Sequence, residues 1–136
     1  MENRYLFKAK RLDNGEWVYG ALLDGESHCL IGEEIKFSPY IEHECKIVGY
    51  EVDRNTICQC TGLKDKNGNL IWENDIVNCL DEECCGYIGW NDDEAGFYFN
   101  VLLEDGKLEE EHVYDYQDCM EVIGNIFENP ELLESE

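Results

Sequence analysis

One segment constrains the fold of this chain more than any other: Gln59-Cys60-Thr61-Gly62-Leu63-Lys64-Asp65-Lys66-Asn67-Gly68-Asn69, followed by Ile71-Trp72-Glu73-Asn74-Asp75-Ile76-Val77. Its pattern predicts a strand ending at Thr61-Gly62, a charged turn built on Asn67-Gly68, and a short strand through Leu70 and Trp72. A tight acidic corner over Glu73, Asn74 and Asp75 then leads into another strand from Ile76.

Short strands are also predicted on either side. Arg4 to Leu12 and Glu16 to Leu23 flank Asp13-Asn14-Gly15, which supplies the left-handed conformations of a tight hairpin. In the second of these strands Trp17, Tyr19 and Ala21 share one face, and Val18 and Leu22 the other. Ser27 to Gly32 reads as a third strand, and Glu33 to His43 as a connecting loop with a short strand at Ile35 to Phe37. Cys45 to Val52 and Thr56 to Thr61 follow. Beyond the central segment the strands are Ile76 to Leu80, Gly86 to Trp90, Gly96 to Leu103, Leu108 to Tyr114 and Met120 to Phe127. The only helical candidates are single turns at Tyr116 to Met120 and Pro130 to Leu133. The fold class is mainly β: a barrel or sandwich assembly, with Gly86 and Gly89 permitting the sharp coiling of barrel closure.

At 136 residues and 43% hydrophobic the chain is long and apolar enough to bury one core without metals or disulfides, which predicts one domain over 1–136. No run reaches the length of a membrane span and the N-terminus has no signal-like apolar core, so a cytoplasmic protein is expected. In that setting the eight cysteines read as buried or half-buried thiols. Cys79-x4-Cys84 is the only zinc-like spacing and has no second pair, while Cys58 and Cys60 fall on one strand face. No metal and no cofactor are expected.

The net charge of −22 is lopsided. Residues 1–66 hold nine Lys/Arg against twelve Asp/Glu, a net −3; residues 67–136 hold one against twenty, a net −19. This break suggests two subdomains, 1–66 and 67–136, and it argues against direct binding to nucleic acid or an anionic membrane. Asp92, Asp93 and Glu94, with Glu109, Glu110 and Glu111, are the candidate docking surface for a basic host or phage protein. The competing reading is solubility and protection of strand edges. A DNA mimic occupying the groove of a host DNA-binding protein is a further alternative.

The central segment, together with Val122-Ile123-Gly124-Asn125-Ile126-Phe127-Glu128-Asn129-Pro130-Glu131-Leu132-Leu133, resembles the YopX family of small proteins encoded mostly by bacteriophages and prophages. The resemblance covers nearly the whole chain. It implies a mainly β fold and a phage or prophage setting, and it implies no chemistry. Cys60 stands where the family usually has an aromatic residue, and Asn74 where it usually has glycine, asparagine being next most tolerant of a positive φ.

Catalytic signatures are missing. There is no nucleophile elbow, P-loop, dinucleotide fingerprint or His-Glu-x-x-His. Asp65-Lys66-Asn67-Gly68 has its glycine too early for a calcium loop. Glu73 and Asp75 are the one pair that suggests a carboxylate-metal hydrolase. Short acidic side chains in a turn more often bond backbone N–H groups, so Thr61, Gly62, Asp65, Asn67, Gly68, Glu73, Asn74 and Asp75 are read as a structural corner. The expectation is a non-enzymatic interaction module that also self-associates through strand edges or exposed aromatics.

Overall fold

The computed structural model describes residues 5–25, 28–37, 45–79, 84–103, 105–113 and 119–133. The chain is mainly β, in antiparallel sheets, and falls into two compact units, Met1–Gln59 and Cys60–Glu136.

In the first unit, β1 (Phe7–Lys10), β2 (Trp17–Asp24), β3 (Cys29–Phe37) and β4 (Cys45–Glu51) pair in sequence order. The Asp13-Asn14-Gly15 hairpin turns as its residue types dictate. Gly15 adopts φ 72°, and the Asn14 side chain accepts a hydrogen bond from the Glu16 N–H at 2.9 Å. Alternation along β2 carries Val18 and Leu22 against a core of Ala9, Cys29, Ile31 and Val52. On the β1–β2 ladder the Lys8 and Lys10 ammonium groups lie 4.8 and 5.5 Å from the Trp17 ring centre. The strand β5 (Cys58–Lys64) starts in this unit, with Cys58 and Gln59 opposite Lys8 and Phe7.

Two strand boundaries differ from the sequence reading, both because of irregular register. The segment read as a strand, a loop and a short strand is the single β3, whose register shifts between Gly32 and Glu34. That shift interrupts the period-two pattern. Likewise β5 does not stop at Thr61-Gly62. Gly62 takes φ 83°, the register shifts between Cys60 and Lys64, and the strand continues to Lys64.

In the second unit the rest of β5 pairs with β6 (Leu70–Trp72). The strands β7 (Asp75–Cys79), β8 (Cys84–Asn91), β9 (Gly96–Leu102), β10 (Leu108–His112) and β11 (Met120–Asn125) form a five-stranded sheet in the order β10-β9-β8-β7-β11. Its core is Ile71, Val77, Ile88, Phe99, Val101, Val113 and Met120, packed round by Leu63, Phe97 and Val122. Full burial of each large side chain here contributes roughly 1.5–3 kcal/mol.

This sheet ends at β10 and β11, so the barrel expected from the sequence does not close among the described residues. The glycines assigned to coiling have another use. A Cβ on Gly86 would lie 2.0 Å from the Asn100 carbonyl oxygen, and one on Gly89 would meet the Asn100 side chain at 2.6 Å. They let β8 and β9 approach closely. Of the two helical candidates, Tyr116 to Met120 falls mostly outside the described residues and its last residue opens β11, whereas Pro130–Leu133 is one 3-10 turn. No helix of the described residues is long and apolar enough to cross a membrane.

The cysteine reading needs one correction. Cys29, Cys58, Cys60, Cys84 and Cys85 keep their thiols, but Cys79 and Cys119 form a disulfide across 40 positions. The reason is register. Met120 stands opposite Cys79 on the neighbouring strand, which brings Cys119 within reach, and no local spacing reveals a pairing that distant.

Candidate functional site

The acidic corner is built from side chains turned onto backbone. Asp65 is 5% exposed, and one of its carboxylate oxygens accepts from the Asn67 and Asn69 N–H groups, both at 2.9 Å. The other oxygen accepts from the Val122 N–H of β11 at 3.1 Å. Burial alone would push this carboxyl up. The N–H groups of Val122, Asn69 and Asn67, with the Asn69 side chain, outweigh it and hold Asp65 below the usual carboxylate range. Gly68, at φ 84°, completes the turn, its N–H donating to the Asp65 carbonyl at 3.0 Å.

Thr61 donates its hydroxyl to the Ile71 carbonyl at 2.7 Å and accepts from the Leu63 N–H at 3.1 Å, fastening the irregular end of β5 to β6. At the next bend Asn74 holds φ 71°. Its N–H donates to the Ile88 carbonyl at 2.7 Å and its carbonyl accepts from the Ile126 N–H at 3.0 Å. Asp75, 3% exposed, accepts from the Trp72 N–H at 2.8 Å. The half-buried Glu73 lies beside it in the same turn. Among the described residues no three His, Cys, Asp or Glu side chains gather as a metal-ligand set.

The two acidic runs behave differently from their appearance as blocks. On β10 the period of two splits the second run. Glu110 is opposite Asn100 and shares its face with Leu108 and His112, while Glu109 and Glu111, opposite Val101 and Phe99, project to the other face. Asp92, Asp93 and Glu94 are exposed on the β8–β9 turn. Asp92 accepts from the Trp90 indole N–H at 2.7 Å, and that ring meets Phe97 edge-on at 5.0 Å.

The structure brings Glu94 and Glu110 together through two residues that sequence reasoning passed over. Tyr98 donates its hydroxyl to Glu94 and places its ring 4.9 Å from that of His112. Asn91 donates to Glu110 at 2.9 Å and accepts from the Glu94 N–H at 3.2 Å. The hydrogen bond to Glu94, the burial of the ring and the negative charges of Glu94 and Glu110 push the Tyr98 phenol up to about 12. The signal was present in the sequence as a period-two alignment of Tyr98 and Asn100 with Glu110 and His112. Reading it requires the β9–β10 register.

The first unit carries two adjoining cavities of about 310 and 280 Å³ that share Leu12 and Glu51. Polar groups around them are joined: Glu51 lies at hydrogen-bond distance from His28, 2.8 Å, Arg54 pairs with Asp24, and Arg11 pairs with Asp13 at 2.9 Å while stacked 4.1 Å from the Tyr50 ring centre. Cys29 lines the larger cavity, its thiol raised by burial and then by the charge of Asp24.

Comparison with known proteins places this architecture. The sequence model of the YopX protein family matches residues 6–134. The chain is also similar to the crystal structure of protein EF1440 from Enterococcus faecalis, at 30% sequence identity and a TM-score of 0.53, with 94% of this chain and 96% of that chain covered. No curated protein matches it. With every residue from β1 to the final 3-10 turn inside the family match, this chain belongs to the YopX family.

Proposed function

We propose that this chain is a non-enzymatic protein-interaction module of a phage or prophage, working in the cytoplasm of its bacterial host. It docks a basic partner on the β8–β9 turn and the edge strand β10. One observation carries the reading: Tyr98 and Asn91 hold carboxylates from two separate acidic runs, Glu94 and Glu110, on one face. Leu108, 49% exposed, shares that face of β10 with Glu110, and Asp92 accepts from the indole of Trp90, 44% exposed, at the end of β8. Carboxylates beside an aromatic anchor suit a Lys- or Arg-rich partner, attracted by the field and fixed by apolar contact.

The test is affinity capture from host lysate at low and high salt, with E94Q/E110Q and D92N/D93N variants beside the native chain and circular dichroism to verify their folds. The expected result is a defined protein retained by the native chain at low salt and lost from the folded E94Q/E110Q variant. Equal retention by all three chains would leave the carboxylates as edge protection and end the proposal. If DNA competes with the chain for the captured protein, the surface acts by standing in for phosphates.

A further inference from the structure

We propose that Cys79, Cys84 and Cys119 form a thiol–disulfide exchange site in which Cys79 exchanges its disulfide partner between Cys119 and Cys84. Cys79 lies on β7, a strand with neighbours on both sides. Cys84 stands directly opposite it on β8, and Met120, next to Cys119, stands opposite it on β11. Directly opposed residues of antiparallel strands have α-carbons about 4.5–5.5 Å apart. That lies inside the roughly 4.4–6.8 Å range a disulfide accepts. The ladder therefore gives Cys79 and Cys84 an α-carbon spacing that a disulfide accepts, with both side chains on one face.

The strand order also supplies the direction of attack. A thiolate displaces a sulfur by approaching the bond from the far side. With β8 and β11 flanking β7, the strand that carries Cys84 and the strand that Cys119 leads into lie on opposite sides of Cys79, as such an approach requires. The Cys84 thiolate attacks the Cys79 Sγ, the Cys79–Cys84 bond forms as Cys79–Cys119 breaks, and the electron pair leaves on the Cys119 Sγ. The proton lost by Cys84 returns from solvent to Cys119, so no oxidant or reductant is consumed.

Access is consistent with such a reaction, because Cys79 is fully buried whereas Cys84 and Cys119 are both half-exposed. Cys85 is set apart from it. That residue pairs with Asn78 on the opposite sheet face, its thiol is directed at the Leu132 carbonyl, and burial pushes the thiol up. Exchange replaces a link spanning 40 positions by one inside the β7–β8 hairpin, and releases β11 from its covalent tie to β7.

The experiment equilibrates the full chain and its C119S and C84S variants in a glutathione buffer. It then quenches with acid, alkylates the remaining thiols, and maps linked peptides after cleavage at acidic residues. Asp81, Glu82 and Glu83 separate Cys79 from Cys84, so the two disulfides give different peptides. The expected result is both linkages in the native chain, Cys79–Cys84 alone in C119S, and Cys79–Cys119 alone in C84S. If C119S does not fold, the native chain gives the same readout. A native chain that never yields the Cys79–Cys84 peptide at any glutathione ratio overturns the proposal.

Discussion

At the scale of single residues the polar side chains of the family segment act on backbone, and Asp65 shows how much can rest on one of them. Its two oxygens satisfy three N–H groups from the turn and from β11. Asp65→Ala strands those donors, each at about 1–3 kcal/mol, so the expected loss is about 3 kcal/mol or more in urea unfolding. Because the native pKa is depressed, the stabilisation is present above the unfolded value and disappears as pH falls through the native one. Asp65→Asn should therefore flatten the acid limb of the stability profile; an unchanged acid limb would show that other carboxylates govern it. Tyr98 has the opposite sign. Its pKa is raised to about 12, so its contribution is intact below the unfolded tyrosine value near 10 and lost as pH rises through about 12. Ultraviolet titration of phenolate should show a late-titrating tyrosine in the native chain that is absent from Glu94→Gln. If the two titration curves coincide, the Tyr98–Glu94 bond is not made in solution.

Elements were legible where a residue type was needed for local geometry and obscure where register between strands decided the outcome. Gly15 and Gly68 announce their turns because both need positive φ, and Asn74 announces its corner for the same reason. The irregular passages of β3 and β5 broke the alternation and so misplaced two boundaries. The disulfide and the meeting of Glu94 with Glu110 both depend on which residue faces which across a ladder. A pattern within one strand does not contain that information. Gly86 marks the contrast most sharply. The sequence allows it to be a point of coiling, yet its missing side chain is what lets β8 lie against Asn100 and Phe99 of β9. Gly86→Ala should cost about 3 kcal/mol through forced separation of the strands, whereas Gly15→Ala, with open space around it but φ 72°, should cost about 1 kcal/mol. Thermal melts of the two variants decide the matter, and equal costs would mean that the β8–β9 approach is looser than drawn.

For the whole molecule the informative quantity is charge, and it was legible from composition alone. Divided at the structural boundary, Met1–Gln59 holds seven Lys/Arg against eleven Asp/Glu, a net −4, and Cys60–Glu136 holds three against twenty-one, a net −18. The second unit therefore folds against its own field, and among its described residues the pair of Lys66 with Glu121, at 3.7 Å, is half-exposed. Exposed pairs contribute at most about 1 kcal/mol each, too little to offset repulsion among so many carboxylates. Screening should consequently help the fold more than it harms it. Raising sodium chloride from roughly 0.01 to 1 M shortens the Debye length from about 30 to 3 Å, and Tm should rise by roughly 5 °C or more. An acidic surface retained for docking and an acidic surface retained for solubility both predict that rise, but they part on its mutants. Neutralising Glu94 and Glu110 should reproduce part of the salt effect on Tm in either case, because the repulsion is relieved. Only a docking surface loses its partner at the same time. A Tm that falls with salt would mean that ion pairs, and not carboxylate repulsion, dominate the electrostatics of this fold.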